Sequence, residues 1–572
     1  MKRWINDSCY VGFGLFLFYT VSLSLLAGTV TGQENCANGD IDCFIREETV
    51  KIQQRPESGL YLMLRANLYK QKKAFDLAIA DYNRALVVKE STISTGHFDD
   101  MIYNYRGDAY FQKGDYDNAI KDLTTLIDRG SSWDDLFFKR GNAYLEKLNF
   151  DGALKDFDRV EKGEKSTLSS YFFFQRGRAK LGKRDSNGAI ADFSKYIAKE
   201  PNEPAAYYNR GLAFYQKEDY NSAISDFGQS LKIDPNYKSS FYERGRSYSA
   251  RNEYDLAAAD FNQYIKLNPA EPAAFLDLGV TYRGKGETDA AIVNFTQAIK
   301  LKPDYSDAYE FRAESYEKKK DYVSALSDYD QMAKIDPKST QPYYSRIRVF
   351  KVKKDNAAAE SDYLQIIRLD PKNGHHSRGH YHYDNGLYDA AIADFAECIK
   401  LEPSNDGYID DRRTSYLKKK QFDLALKDAE AALKLKPTSG HYYADRGEVY
   451  LETAKLDEAL ADYEQSVKLD EKAWLGYVGR GNVYRETGKF DLALSEYQNA
   501  IEKDGTAASP YYNKGLLHLK MKKKVEAKAD FSRVLELDPD HRDAKAELEK
   551  LSTPPVKKLG RPLTKHRRPA GV

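Results

Sequence analysis

Between residues 204 and 217, Tyr207, Gly211, Phe214 and Tyr215 recur at intervals of three and four, which puts the apolar positions on one face of a helix. Glu218-Asp219-Tyr220 interrupts that pattern. Ala223, Ile224, Phe227 and Leu231 resume it as a second amphipathic helix that stops near Asp234-Pro235. Gly211 and Ala223 both lack bulk, so the spacing predicts a hairpin of two closely approaching helices with Phe227 filling the space beside them. One such hairpin cannot bury its apolar face alone and needs neighbours stacked on it.

The neighbours are supplied by repetition. With Gly211 as marker, equivalent positions are Ala66, Gly107, Gly141, Gly177, Gly245, Gly279, Ala313, Ile347, Gly379, Arg413, Gly447, Gly481 and Gly515; ten of the thirteen intervals are 34 residues and the others are 41, 36 and 32. Twelve residues after every marker stands an alanine, from Ala78 to Ala527, and sixteen after it an aromatic residue, with Leu123 and Ala429 the exceptions. Proline closes many units, as at Pro201, Pro235, Pro269 and Pro303.

Tyr207, Gly211, Phe214, Ala223, Phe227 and Pro235 together resemble the pattern of the tetratricopeptide repeat (TPR) family, and the resemblance extends over residues 59–541, about fourteen units. It implies an all-α chain, an alpha-alpha superhelix or TPR solenoid of helix-turn-helix repeats, right-handed. Ile347 and Arg413 depart from it by placing large side chains at the marker. The resemblance also implies a concave face lined by the first helix of each unit, including the positions three before and one after the marker. Those positions hold Phe138, Phe174, Tyr208, Tyr242, Tyr344 and Tyr512, with Arg178, Arg246, Arg348 and Asn482 beside them. Tyrosine gives apolar area with a polar tip and arginine a donor fork, a mix suited to a protein or peptide segment. The family's clamp for acidic peptide C-termini cannot be laid onto any adjacent units.

The residue before the marker is basic in thirteen of fourteen units, and an acid or its absence follows sixteen residues later, as in Arg210 with Asp226 and Arg244 with Asp260. The one unit without the base, at Leu278, is also the one without the acid, at Asn294. That coincidence predicts a structural ladder of ion pairs that fixes helix register, with the acid drawn from the same or the adjacent unit. A catalytic reading would need one pair to differ from the rest by a base or nucleophile beside it.

Composition adds less. A formal net charge of +1 over 572 residues gives no field for nucleic acid, and four cysteines are too few for a disulfide scaffold. Residues 1–32 read as a signal peptide or a signal anchor, because Lys2 and Arg3 precede the uncharged stretch Val11 to Val30. Either reading makes the protein exported (periplasmic, secreted or lumenal), with membrane contact through an anchored N-terminus. Residues 33–58 are a linker or N-terminal cap, in which Cys36 and Cys43 either form a disulfide or stay free thiols; Cys398 reads as a small core residue. Residues 542–553 are expected to cap the last repeat. Residues 554–572 form a basic tail, expected to be disordered.

The unit NGHHSRGHYHYDNG holds four histidines. His376 and His380 could offer two imidazoles to one metal, but His375 and His382 fall in packing positions, and the favoured reading is an irregular packing unit with no metal assigned. No phosphate loop, dinucleotide fingerprint or nucleophile elbow occurs. No cofactor is expected, and no enzyme. The sequence points to a non-catalytic protein-binding scaffold using its concave face, exported or tethered; the alternative is a cell-envelope assembly or polymer-handling factor acting through the basic tail.

Overall fold

The computed structural model describes residue 36 and residues 40–88, 95–162 and 169–552. Among them are thirty α-helices and no strand: fourteen antiparallel pairs, preceded by Ile41–Gln54 and followed by Arg542–Ser552. The first pair is Gly59–Gln71 with Phe75–Val88 and the last is Ala508–Lys520 with Lys524–Leu537. The chain is an all-α solenoid of helix-turn-helix units. It divides into two compact units at Phe311 and Arg312, within the helix Ser306–Lys318. Seven pairs end before that helix in the first unit, and seven pairs begin with it in the second.

In the pair Pro204–Gln216 and Tyr220–Ile233, Pro204 starts the first helix at a position where a missing amide hydrogen costs nothing. Glu218 closes it in the left-handed region at φ 61°, and the Asp219 side chain then accepts the Ser222 amide at 3.1 Å to start the second helix. Every one of the fourteen pairs turns through one such left-handed residue, and only four of these are glycine, at Gly114, Gly286, Gly386 and Gly488.

Ala223 and Phe227 are completely buried. A Cβ on Gly211 would lie 2.7 Å from the Phe227 ring, so the marker is small because the aromatic ring sixteen residues on presses against that helix. The equivalent rings Phe157, Phe193, Phe395 and Phe531 would meet a Cβ on Gly141, Gly177, Gly379 and Gly515 at 2.7–2.8 Å. Arg413 breaks the rule together with its partner position: the residue sixteen on is Ala429, and no ring competes for the space. The Arg413 side chain is buried and donates to Asp410 at 2.7 Å and Glu448 at 3.0 Å. The core is thus a chain of local clusters, such as Leu145, Ala153, Phe157, Val160, Phe172 and Ala179, each spanning a helix pair and its neighbour.

The expectation of an exported or membrane-tethered protein is corrected. A spanning helix needs about 20 predominantly apolar residues. Among the described residues no helix is long and apolar enough to cross a membrane, and the longest, Thr95–Lys113 at 19 residues, carries Asp99, Asp100, Arg106, Asp108 and Lys113. The stretch Val11 to Val30 and the basic tail lie outside the described residues. Cys36 and Cys43 are joined as a disulfide with Cα atoms 5.6 Å apart, and Cys398 is buried.

Candidate functional site

Every ladder arginine but one reaches the aspartate of its own unit through two parallel bonds; Arg480 meets Glu496 through Nη2 alone, at 2.7 Å, and its buried Nε has no partner. Arg210 donates from Nε to Asp226 Oδ2 at 2.7 Å and from Nη2 to Oδ1 at 2.8 Å, and Arg244 does the same to Asp260 at 2.7 and 2.8 Å. The third nitrogen, Nη1, often goes elsewhere. It donates backwards to the second helix of the preceding unit, from Arg210 to Ser194 at 3.0 Å, from Arg140 to Thr124 at 3.1 Å and from Arg106 to Asn83 at 2.6 Å. One guanidinium therefore fixes the angle within a pair and the register between pairs. Where Leu278 replaces the arginine, Asn294 turns to its own helix and donates to the Ala290 carbonyl at 2.8 Å.

One rung carries two histidines. Asp394 accepts from Arg378, and it is also met by His375 Nδ1 at 2.7 Å and His382 Nδ1 at 2.9 Å. Burial pushes its carboxyl up, but the bonds from His382, Arg378 and His375 outweigh that and hold it at about 2. For His382, burial opposes the charge, yet Asp394 and Glu360 together raise it. A depressed carboxyl contributes stability that is present above its unfolded value and lost as pH falls through its folded value. The stability advantage of the native chain over Asp394→Asn is therefore expected to be intact at pH 5 and to shrink from about pH 4 down to about pH 2, as read by urea denaturation of both proteins across that range.

First helices of consecutive units also touch one another, as Asp134–Glu146 touches Ser170–Gly182 and Gly440–Glu452 touches Trp474–Glu486. They line the side on which neighbouring repeats come closest. Phe138, Phe174, Tyr208, Tyr242 and Tyr512 are half-buried there, each with one side against the buried phenylalanine of its unit: centroids are 5.9 Å apart for Tyr208 and Phe227, 5.7 Å for Tyr242 and Phe261. The Tyr242 hydroxyl donates to Asp277 in the next unit at 2.5 Å, and the Tyr344 hydroxyl lies 3.2 Å from that of Ser377.

The arginines of this face are engaged. Arg178 donates to Glu146 at 3.1 Å and Gln175 at 2.8 Å, Arg246 to Glu243 at 2.9 Å, and Arg348 to Glu317 at 2.7 Å and the Tyr329 hydroxyl at 3.0 Å. Asn482 accepts the Tyr497 hydroxyl at 2.7 Å, as Asn67 accepts that of Tyr82. In the unit of Asn142 the corresponding ring is Phe157, which has no hydroxyl, and the buried Asn142 Oδ1 is left without a partner. Sequence reasoning missed the acids that balance the arginines. Only Glu243 carries a positional signal, two residues before the marker of its own unit; Glu146 and Glu317 lie on the first helix of the preceding unit. Burial pushes the carboxyl of Asp445 well above the usual range, with Arg413 opposing and Asp410 and Glu448 adding to the shift.

Tetratricopeptide repeat models match residues 104–167, 204–237, 242–294, 276–340, 374–405, 414–474 and 508–541, and a TPR repeat model matches 481–522. The chain belongs to the tetratricopeptide repeat family. No curated protein matches it. Among solved structures it is similar to the C-terminal part of a TPR repeat-containing protein from Cytophaga hutchinsonii, at 21% identity over 42% of this chain and 98% of that one, with a TM-score of 0.37. It is similar to a thermophilic TPR protein from Thermus thermophilus at 20% identity, 32% and 98% coverage and a TM-score of 0.30. It is also similar to yeast Tom70 at 16% identity, 86% and 94% coverage and a TM-score of 0.28. The fold supports a protein-binding, non-catalytic scaffold role.

Proposed function

We propose that the chain gathers a protein partner as an extended segment laid along the concave face formed by the first helices of its first compact unit, with Phe138, Phe174, Tyr208 and Tyr242 as the recurring contact rings; Tyr344 and Tyr512 hold the same positions within the second unit. The observation that carries this reading is the half-burial of those rings: the inner side of each is held by the core, so the exposed part is a rigid apolar edge that loses little freedom on binding. The face has no free row of cations, because Arg178, Arg246 and Arg348 are each paired with a glutamate. A partner strand with apolar side chains at regular spacing fits it better than a uniformly acidic one.

Photo-crosslinkers placed at Tyr208 and Tyr242, and as a control at the exposed Leu256 on the second helix Tyr254–Leu267, test the reading in cells. One protein crosslinked from the first two positions and not from Leu256 is the expected result. Tyr208→Ala should then weaken its capture by about tenfold or more, as truncation of an aromatic anchor does. Equal crosslinking from all three positions would overturn the assignment of the face.

A further inference from the structure

In the second compact unit, three side chains on two consecutive first helices bring their ligand atoms together. His376 and His380 stand one turn apart on Pro371–Asp384, and Asp411 is on Asp406–Lys418. His376 Nε2 is 3.0 Å from His380 Nε2 and 3.1 Å from Asp411 Oδ2, and His380 Nε2 is 3.5 Å from the same oxygen. We propose that His376, His380 and Asp411 form a binding site for a divalent transition metal of the zinc class, held by two imidazoles and one carboxylate with one coordination position left for water or a partner's side chain.

Hydrogen bonding holds the triangle only by sharing one hydrogen between two acceptors. A hydrogen on His376 Nε2 would have to serve both Asp411 and His380, leaving the His380 lone pair facing the carboxylate. A hydrogen on His380 Nε2 directed at His376 spends the His376 lone pair and offers Asp411 only a long, shared contact at 3.5 Å. A cation above the triangle takes a lone pair from all three. Donors about 2.0–2.2 Å from a tetrahedral zinc ion lie about 3.3–3.6 Å from one another; His380 and Asp411 already stand at that spacing, at 3.5 Å, and His376, at 3.0 and 3.1 Å, needs to move out by a few tenths of an ångström.

The ligands are held in place by packing rather than by chance. The His376 ring lies 5.0 Å from Tyr408 and 6.3 Å from Phe395, and the His380 ring 5.3 Å from Phe395. Side-chain exposures of 35%, 48% and 24% for His376, His380 and Asp411 leave an ion access from solvent without leaving the site loose. In several other units the positions of His376 and His380 carry aromatic or arginine side chains, such as Tyr208 and Arg246. The second triad of this kind, Asp410, His441 and Asp445, is already occupied by the Arg413 guanidinium, which lies 2.7 Å from Asp410 and 3.2 Å from Asp445. A fixed cation there repels a second one.

The test uses the full-length chain without a histidine tag, stripped with a chelator and titrated with zinc chloride against a competing chromophoric chelator. Cobalt chloride serves as a spectroscopic probe. One zinc ion per chain is expected, with the visible absorption of tetrahedral cobalt. His376→Gln, His380→Gln and Asp411→Asn should each weaken zinc binding by at least about tenfold, since even an outer partner of a metal ligand is worth about 10–100-fold. His441→Gln should leave it unchanged. Zinc should also slow amide hydrogen exchange in Pro371–Asp384 and Asp406–Lys418, because the ion ties the two helices together, a readout that needs no partner protein. Absence of stoichiometric zinc binding would overturn the site, as would binding that survives Asp411→Asn, which would mark a pair of surface histidines and not a three-ligand centre.

Discussion

Asp192→Ala will destabilise the solenoid by about 3–5 kcal/mol, the ordinary consequence of removing one partner from a buried ion pair. Asp192 and Arg176 form the most enclosed rung, with side-chain exposures of 1% and 4%, and are joined at 2.7 and 2.8 Å. The aspartate also holds Lys180 at 2.8 Å. Without it the guanidinium keeps only Glu161 of the preceding unit, at 2.6 Å, and two of its donors face an interior that cannot hydrate them. Replacing both Arg176 and Asp192 with leucine should recover most of the loss, because the cost lies in the stranded charge and not in the absent bond. Urea denaturation gives the magnitude, and hydrogen exchange should place the opening in Ser170–Gly182 and Ser186–Lys199. A loss below about 1 kcal/mol, the range of exposed pairs, would show that the rung is solvated.

Phe227→Ala is expected to cost a similar amount, about 3–5 kcal/mol, for an unrelated reason. The ring is fully buried, touches the close-approaching helix at Gly211, and supports Tyr208 from behind. Its removal leaves a cavity between two backbones that cannot collapse further, since the marker is already glycine. In a stack where each repeat leans only on its neighbours, the damage should concentrate in Pro204–Gln216, Tyr220–Ile233 and the pair on either side. Partner capture through Tyr208 should fall as well, although no exposed atom has been touched. Phe227→Leu should lose less than half as much. Equal losses in the two variants would indicate that the ring's shape is not what holds the helices apart.

The fold was legible because one period governs everything: a small marker, an alanine twelve residues on and a ring four after that leave little choice of architecture. The pairing of arginine with aspartate was legible from its single joint absence at Leu278 and Asn294. Its third bond was not, because the acceptors at Asn83, Thr124 and Ser194 share no residue type and are recognisable only once the helices are placed. Arg413 and Ala429 looked like two independent departures, whereas the structure makes them one exchange of bulk. The arginines of the inner face were read as free donors, since nothing along the chain announces that Glu146 and Glu317, one repeat earlier, will face Arg178 and Arg348. Hydropathy near the N-terminus suggested a membrane, and no described helix has the length and apolarity for one.

The backward reach of the ladder arginines gives the stack a polarity. Arg210 needs Ser194, which precedes it, whereas Ser194 contributes its rung whether or not a later repeat is present. As the chain is made from its N-terminus, a guanidinium that reaches back, such as Arg106, Arg140 or Arg210, finds its acceptor already folded and waiting, so assembly can proceed one repeat at a time without stranding that donor. Shortening the chain from its C-terminus by whole repeats preserves every remaining bond of this kind. Shortening it from the other end leaves the new first arginine with an empty hand.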